Sequence, residues 1–245
     1  MENKVLFWDF DGTLVYCHHL WSSSMWRALT DEPFGENITL EEVRPHMQKG
    51  YPWDLPDLDS SALSTPERWW AFMEKHFYGV ARSFGLPEES AVRVSRSVRK
   101  YILTPHFYHL YPDTLSVLEE CHKLGWKNHL LSNNYPELPA MVEKLGLSPY
   151  LDGMTVSALS GKEKPHPELF RIAREEAGFP QTAVMIGDNP KADIKGGQAA
   201  GLKTILVHWE CPNEADGVCA SLSEIPAMLQ KLFSARFGLP QQIPV

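Results

Sequence analysis

From residue 112 onward the chain alternates short, mainly apolar runs with stretches in which apolar residues recur every three or four positions. The runs at 128–132, 154–157, 183–187 and 204–208 show little polar alternation, as expected of strands buried on both faces of a parallel sheet. Helical patterns cover 112–124, 136–145, 167–177, 191–200 and 223–233, several with an early proline and a glycine just past the end. With the apolar run Val5-Leu6-Phe7-Trp8 at the start, this rhythm predicts an α/β, Rossmann-like parallel sheet with helices on both faces.

Residues 16–103 break the rhythm. They read as helices over 20–29, 40–48, 66–84 and 87–102, with no convincing strand between them. On the third of these, Trp69, Phe72, Met73, His76, Phe77, Val80 and Phe84 form a stripe at helical spacing. Five of the eight tryptophans (Trp21, Trp26, Trp53, Trp69 and Trp70) fall in this segment, enough for a small helical core. The expected organisation is a core of residues 1–15 and 104–245 carrying an inserted all-helical domain, residues 16–103. Residues 238–245, with two prolines, read as an irregular tail.

Composition narrows the classes. The chain has 245 residues, 43% hydrophobic and 22% charged, which suits one large domain or one domain with an insertion. A net charge of −8, from 31 acids against 23 bases, argues against a nucleic-acid partner, which would require a basic face. No apolar run reaches the roughly 20 residues that span a bilayer, and the first residues lack a signal-peptide pattern. A cytoplasmic protein without a membrane partner is therefore expected. Cys17, Cys121, Cys211 and Cys219 show no CxxC spacing and read as free thiols. Cys17 has no evident base beside it to make it a nucleophile.

The candidate chemistry starts directly after the first strand, at Asp9-Phe10-Asp11-Gly12-Thr13-Leu14. Residues two apart on an extended chain share a face, so Asp9 and Asp11 can project into one site. Gly12 allows a sharp turn, and the Thr13 hydroxyl is placed to fix it. Two carboxylates about 4 Å apart repel by roughly 4 kcal/mol at an effective dielectric of 20, which favours a cation site or acid/base chemistry over a plain turn. Ligands of parallel α/β sheets bind beyond the carboxyl ends of strands. There the chain carries Ser132-Asn133-Asn134 and Gly187-Asp188-Asn189-Pro190-Lys191-Ala192-Asp193, with Gly161-Lys162-Glu163-Lys164-Pro165 between them. Taken alone, Ser132 could cap a helix, Asp193 could complement a helix dipole, and Lys162 competes with Lys164.

These four motifs, in order along the whole chain, resemble those of the haloacid dehalogenase superfamily, specifically its phosphatases with a helical cap. The resemblance implies Asp9 as phosphoryl-accepting nucleophile, and Asp11 as general acid/base that gives its backbone carbonyl to the metal. Ser132 and Lys164 would be catalytic and bind phosphate, with Asn133 and Gly12 also on the substrate. Asp9, Asp11, Asp188 and Asp193 would hold Mg²⁺, whose preference for hard oxygen ligands fits such a set. Asn133 and Asn189 would orient these groups. The motif around Asp188 is similar to that of N-acylneuraminate-9-phosphatases and some pyrimidine 5′-nucleotidases, with phosphoglycolate phosphatases also near. The implied function is Mg²⁺-dependent hydrolysis of a small soluble phosphomonoester, a phosphorylated metabolite, through an aspartyl-phosphate. A phosphomutase of the β-phosphoglucomutase kind and a non-catalytic phosphometabolite-binding module are the alternatives. The sequence does not reveal the oligomeric state. The turn-rich, aromatic stretch Gly50-Tyr51-Pro52-Trp53-Asp54 is the candidate specificity surface, with Arg44 or Lys49 beside it, while His18 and His19 stand where the cap begins.

Overall fold

The computed structural model describes residues 2–55, 58, 60–211 and 213–234; the expected tail at 238–245 lies outside them. In chain order the elements are β1 (Lys4–Trp8), β2 (Val15–Tyr16), α1 (Leu20–Thr30), α2 (Leu40–Val43), α3 (Pro66–Ser83), α4 (Glu88–Ile102), β3 (His109–Leu110) and α5 (Thr114–Lys123). They continue with β4 (Lys127–Ser132), α6 (Leu138–Lys144), β5 (Gly153–Val156), α7 (Ser157–Ser160), α8 (Pro167–Glu176), β6 (Thr182–Gly187), α9 (Gly196–Ala199), β7 (Lys203–Val207), β8 (Gly217–Cys219) and α10 (Ile225–Phe233).

Six strands form one parallel sheet in the order β5-β4-β1-β6-β7-β8. The alternating sides of β1 explain its unbroken apolar run. Val5 and Phe7 pack on one face with Leu169, Phe170 and Ala173 of α8. Leu6 and Trp8 pack on the other, in a larger core with residues of α5, α6 and α10. That core continues without a break into the helices between β2 and β3. Two polar groups sit in the sheet at no unpaired cost: Trp8 Nε1 donates to Asn128 Oδ1 at 3.0 Å, and Asn128 Nδ2 donates to Leu118 O at 2.9 Å.

Several local features differ from the sequence expectation. Ser157 is not the end of a strand but the first residue of α7. The helix expected over 40–48 stops at Val43 and tightens into a 3₁₀ turn, Arg44–Met47, because Pro45 has no amide to donate and crowds the preceding turn. Pro190–Lys195 winds as a π-helix before α9, with Ile194 N donating to Asn189 O five residues back at 3.3 Å. Strand β8, three residues at the sheet edge, is too short to carry a readable period. The two-residue strands β2 and β3 pair antiparallel, Val15 with Leu110 and Tyr16 with His109. They tie together the two chain crossings that lead into and out of the helical segment.

The sheet order reverses around β1: β4 and β5 lie on one side of it, β6 to β8 on the other. Residues directly after β1, β4 and β6 are therefore brought side by side at the switch point, where ligand crevices form.

Candidate active site

Asp9 follows β1, Ser132 ends β4, and Asp188 follows β6. All three line one cavity of about 610 Å³, together with Asp11, Gly12, Asn133, Asn134, Lys164, Asn189 and Asp193. The opposite wall comes from the helical segment and its entrance and includes Tyr16, His19, Trp21, Arg44 and Trp53. The structure thus gathers every candidate site residue from four separate stretches of chain. Lys164, not Lys162, lines the cavity, and His19, not His18; Lys49 is absent from the lining.

Lys164 is buried and fully engaged. Its Nζ donates to Asp9 Oδ1 at 2.7 Å, Asp193 Oδ1 at 2.7 Å and Leu131 O at 2.8 Å. Burial alone would lower the ammonium's pKa, but Asp193 and Asp9 outweigh it and hold the pKa above the ordinary lysine value. The Lys164–Pro165 peptide is cis. The backbone of Lys164 is gripped from both sides by Asn133, whose Nδ2 donates to Lys164 O at 2.9 Å and whose Oδ1 accepts from Lys164 N at 2.6 Å. Asn133, expected on the substrate, spends its amide on positioning Lys164.

Asp9, Asp188 and Asp193 each bring a carboxylate oxygen to within 4.8 Å of the others, the one such cluster among the described residues. Burial and then Asp9 raise Asp188. Burial also raises Asp193, against the pull of Lys164. One lysine does not balance three converging carboxylates, and this uncompensated all-oxygen set fits a hard divalent cation. The π-helix is what returns Asp193 to the cluster: Asn189 N donates to Asp193 Oδ2 at 3.0 Å, and Asn189 Oδ1 caps the turn by accepting from Lys191 N and Ala192 N. Asp193 is wholly buried and ion-paired, so dipole compensation does not explain it. Gly187 leaves room for it, since a β-carbon there would meet Asp193 Oδ2 at 2.1 Å.

Asp11 is held apart from this cluster. Asn134 Nδ2 donates to Asp11 Oδ2 at 2.7 Å, and the Cys17 thiol lies 3.7 Å from Asp11 Oδ1. Burial, followed by the charge of Asp9, pushes Asp11 up to about 7, the range in which a carboxyl can both give and take a proton at neutral pH. Burial and the neighbouring Asp11 raise the pKa of Cys17, keeping it a thiol rather than a thiolate nucleophile. All four cysteines are free.

One expectation around the turn is corrected. Gly12 lines the cavity, and its amide donates to Val15 O at 2.7 Å, so it is the backbone rather than a free amide that stands here. Gly12 instead supplies a positive φ of 83° and a close approach, because a β-carbon would lie 2.3 Å from Asp188 Oδ2. The Thr13 hydroxyl does not fix the turn: it has no hydrogen-bond partner among the described residues. Backbone bonds from Thr13, Leu14 and Val15 to Phe10 O hold the turn instead. Ser132 Oγ is likewise buried without a partner, a hydroxyl at the strand end that faces the cavity lining. Sequence reasoning missed Asn134 as the partner of Asp11, and Trp209, whose Nε1 donates to Asp188 O at 3.1 Å.

With this geometry established, comparison with known proteins is decisive: the family model for haloacid dehalogenase-like hydrolases matches residues 3–201. The chain belongs to that family. It is 26% identical to haloacid dehalogenase-like hydrolase domain-containing protein 3 of Mus musculus over 210 residues, 84% of this chain and 82% of that protein. It is 25% identical to a glyceraldehyde 3-phosphate phosphatase of Pyrococcus furiosus over 240 residues, covering 94% of this chain and 92% of the relative. Its fold is shared with the L-2-haloacid dehalogenase of Xanthobacter autotrophicus, at a TM-score of 0.64 and 19% identity over 94% of this chain and 99% of that one. The resemblance found in the sequence is borne out, and this haloacid dehalogenase-like protein is a hydrolase with phosphatases among its relatives. Among the described residues no helix is long and apolar enough to cross a membrane.

Proposed function

We propose that this hydrolase is a Mg²⁺-dependent phosphatase that cleaves a small soluble phosphomonoester through an aspartyl-phosphate on Asp9. The observation that carries the reading is the single cavity that joins a carboxylate cluster, a buried lysine, an unpartnered serine hydroxyl and a carboxyl raised to about 7. The fold alone does not choose this chemistry, because a haloacid dehalogenase shares it. Asp11 chooses it: a phosphate ester leaves as an alkoxide that needs a proton, whereas a halide does not.

On this reading an Asp9 oxygen attacks phosphorus while the bond to the alcohol oxygen breaks, and Asp11 protonates that oxygen. Asp11 then takes a proton from water, which attacks the phosphoaspartate and releases phosphate from Asp9. The Ser132 hydroxyl holds a phosphoryl oxygen, and Lys164 turns its hydrogen bond from Asp9 to another as Asp9 takes the phosphoryl group. Asp9, Asp188 and Asp193, with the Asp11 carbonyl, would hold Mg²⁺, which offsets the charge of an anion approaching an anion. Residues 16–103 act as a cap over a core of 1–15 and 104–245, closing the cavity against water. The free thiols suit a cytosolic enzyme.

The test is phosphate release from a panel of phosphomonoesters with Mg²⁺, with chelator, and with Asp9→Asn. Turnover that requires both the cation and Asp9 is expected. Turnover that survives Asp9→Asn would sink the reading.

A further inference from the structure

The wall of the cavity opposite the carboxylates is built for a different task from the floor. Trp53 lies on a 3₁₀ turn, Pro52–Asp54, and stacks on Tyr51 with centroids 4.8 Å apart and planes 7° from parallel. Tyr51 is in turn immobilised: it is buried, its hydroxyl donates to Met47 O at 2.8 Å, and its amide donates to Asp54 Oδ2 at 3.1 Å. Trp21 leans on both rings, 4.9 Å from Tyr51 and 5.9 Å from Trp53. A turn that served only the core would bury both indoles. Here Trp21 and Trp53 stay half-exposed and line the cavity. Tyr51 covers one face of Trp53, which leaves the indole as a preset platform whose ordering cost is met before any ligand arrives.

The polar groups on this wall point the same way. From residues 16 to 53 the lining contributes the polar side chains of Tyr16, His19, Ser22, Arg44 and Gln48 and no carboxylate. Arg44 is paired through Nη1 with the exposed Glu41, an ion pair at the rim that solvent weakens. A flat ring would find indole faces and hydrogen-bonding groups here.

We infer that Trp21 and Trp53, with Arg44, select phosphomonoesters whose alcohol carries a flat ring over open-chain esters. This inference rests on the phosphatase reading above and deepens it.

The experiment compares kcat/KM for three esters, a nucleoside 5′-monophosphate, glycerol 3-phosphate and O-phosphoserine, in the full chain and in Trp53→Ala, Trp53→Phe and Trp21→Ala. The ring-bearing ester is expected to exceed each open-chain ester at least tenfold. That ratio should fall about tenfold in Trp53→Ala and Trp21→Ala, mainly through KM, and recover in part in Trp53→Phe. Because the ratio is taken within one variant, a change in the folded fraction cancels. A wild-type ratio near one, or a ratio the substitutions do not move, would overturn the inference while leaving the phosphatase reading standing. If no ester is turned over, the phosphatase reading falls, and the wall is judged by binding of benzylphosphonate against methylphosphonate. Tighter benzylphosphonate binding that Trp53→Ala removes supports the platform; equal binding overturns it.

Discussion

Asn133 and Lys164 stand 31 residues apart in sequence, yet the side-chain amide of one pairs with the peptide of the other through two hydrogen bonds, at 2.9 and 2.6 Å. Every other polar contact of Lys164 is made by its ammonium, so this clamp fixes where the ammonium starts. Each bond contributes on the order of 1 kcal/mol. Asn133→Ala is therefore expected to lower kcat/KM by roughly 10- to 100-fold with a modest loss of stability. Asn133→Asp, which can accept from Lys164 N but cannot donate to Lys164 O, should fall between. Steady-state kinetics with a melting curve on each variant checks this; wild-type kinetics in Asn133→Ala would show that the clamp does not position the lysine.

The carboxylate cluster makes a second claim. Burial and neighbouring carboxylates hold Asp188 and Asp193 above the ordinary carboxylate range, so a bound divalent cation should stabilise the fold itself. At a concentration a hundred times its Kd, such a ligand adds about 2.7 kcal/mol, or roughly 5–10 °C for a domain this large. Melting curves with Mg²⁺ and with chelator should differ by that amount. Asp188→Asn, which removes one ligand without touching Lys164, should lose most of the difference. An undiminished Mg²⁺ shift in that variant would remove Asp188 from the cation site.

Glu137, at the start of α6, ties the sheet side of the protein to the inserted helices. It accepts from Trp70 Nε1 of α3, with oxygens at 2.9 and 3.1 Å, and forms an ion pair with Arg99 of α4. The guanidinium of Arg99 also lies over the Trp70 ring, 5.2 Å from its centroid. Glu137→Ala leaves a buried indole N–H unpaired and is expected to cost about 1–3 kcal/mol. Glu137→Gln keeps an acceptor for Trp70 and loses only a part-exposed ion pair, worth about 0–1 kcal/mol. Chemical denaturation of the two variants should show this order. Equal losses would mean that the charge, not the indole bond, holds the contact.

How much of this was legible in the sequence follows from what each feature depends on. The buried strands and long helices could be read because their signals are local: an apolar run, a 3.6-residue period, a proline or glycine at an end. Asp9 and Asp188 could be read because they directly follow such strands, and Asp11 and Asp193 because they share a motif with them. Trp70 shows where local reading stops. The stripe at helical spacing on α3 includes Trp69, Met73 and Phe77 and omits Trp70. Trp70 belongs to the helical core by composition and is buried, but its partner Glu137 lies 67 residues away, out of reach of any local pattern. The same limit hid Asn134 and Trp209, whose roles are single long-range hydrogen bonds to Asp11 and Asp188. Strands β2, β3 and β8, of two or three residues, exist only through their partners.

The last expectation concerns acid stability and rests on β4. His129 is buried, and its Nε2 lies 2.8 Å from Thr155 Oγ1. Thr155 gives its own proton to Glu176, so the imidazole must be the donor to Thr155, as a neutral ring protonated on Nε2. Burial pulls His129 down to about 4 from an ordinary 6.5. The unfolded chain then binds the extra proton first, so the stability this group contributes is complete above pH 6.5 and is lost as pH falls toward 4. Between pH 7 and pH 5 the loss is about 1–2 kcal/mol, with the charge of Asp152 already pulling against burial. The raised carboxyls Asp11 and Glu163, each near 7, act with the opposite sign, since they hold protons in the folded state that the unfolded chain releases. The histidine is therefore isolated by difference. His129→Gln keeps a donor toward Thr155 without a titrating group and should lose about 1–2 kcal/mol less than wild type when both are denatured at pH 7 and at pH 5. Parallel losses in the two proteins would show that His129 does not titrate on unfolding in this range.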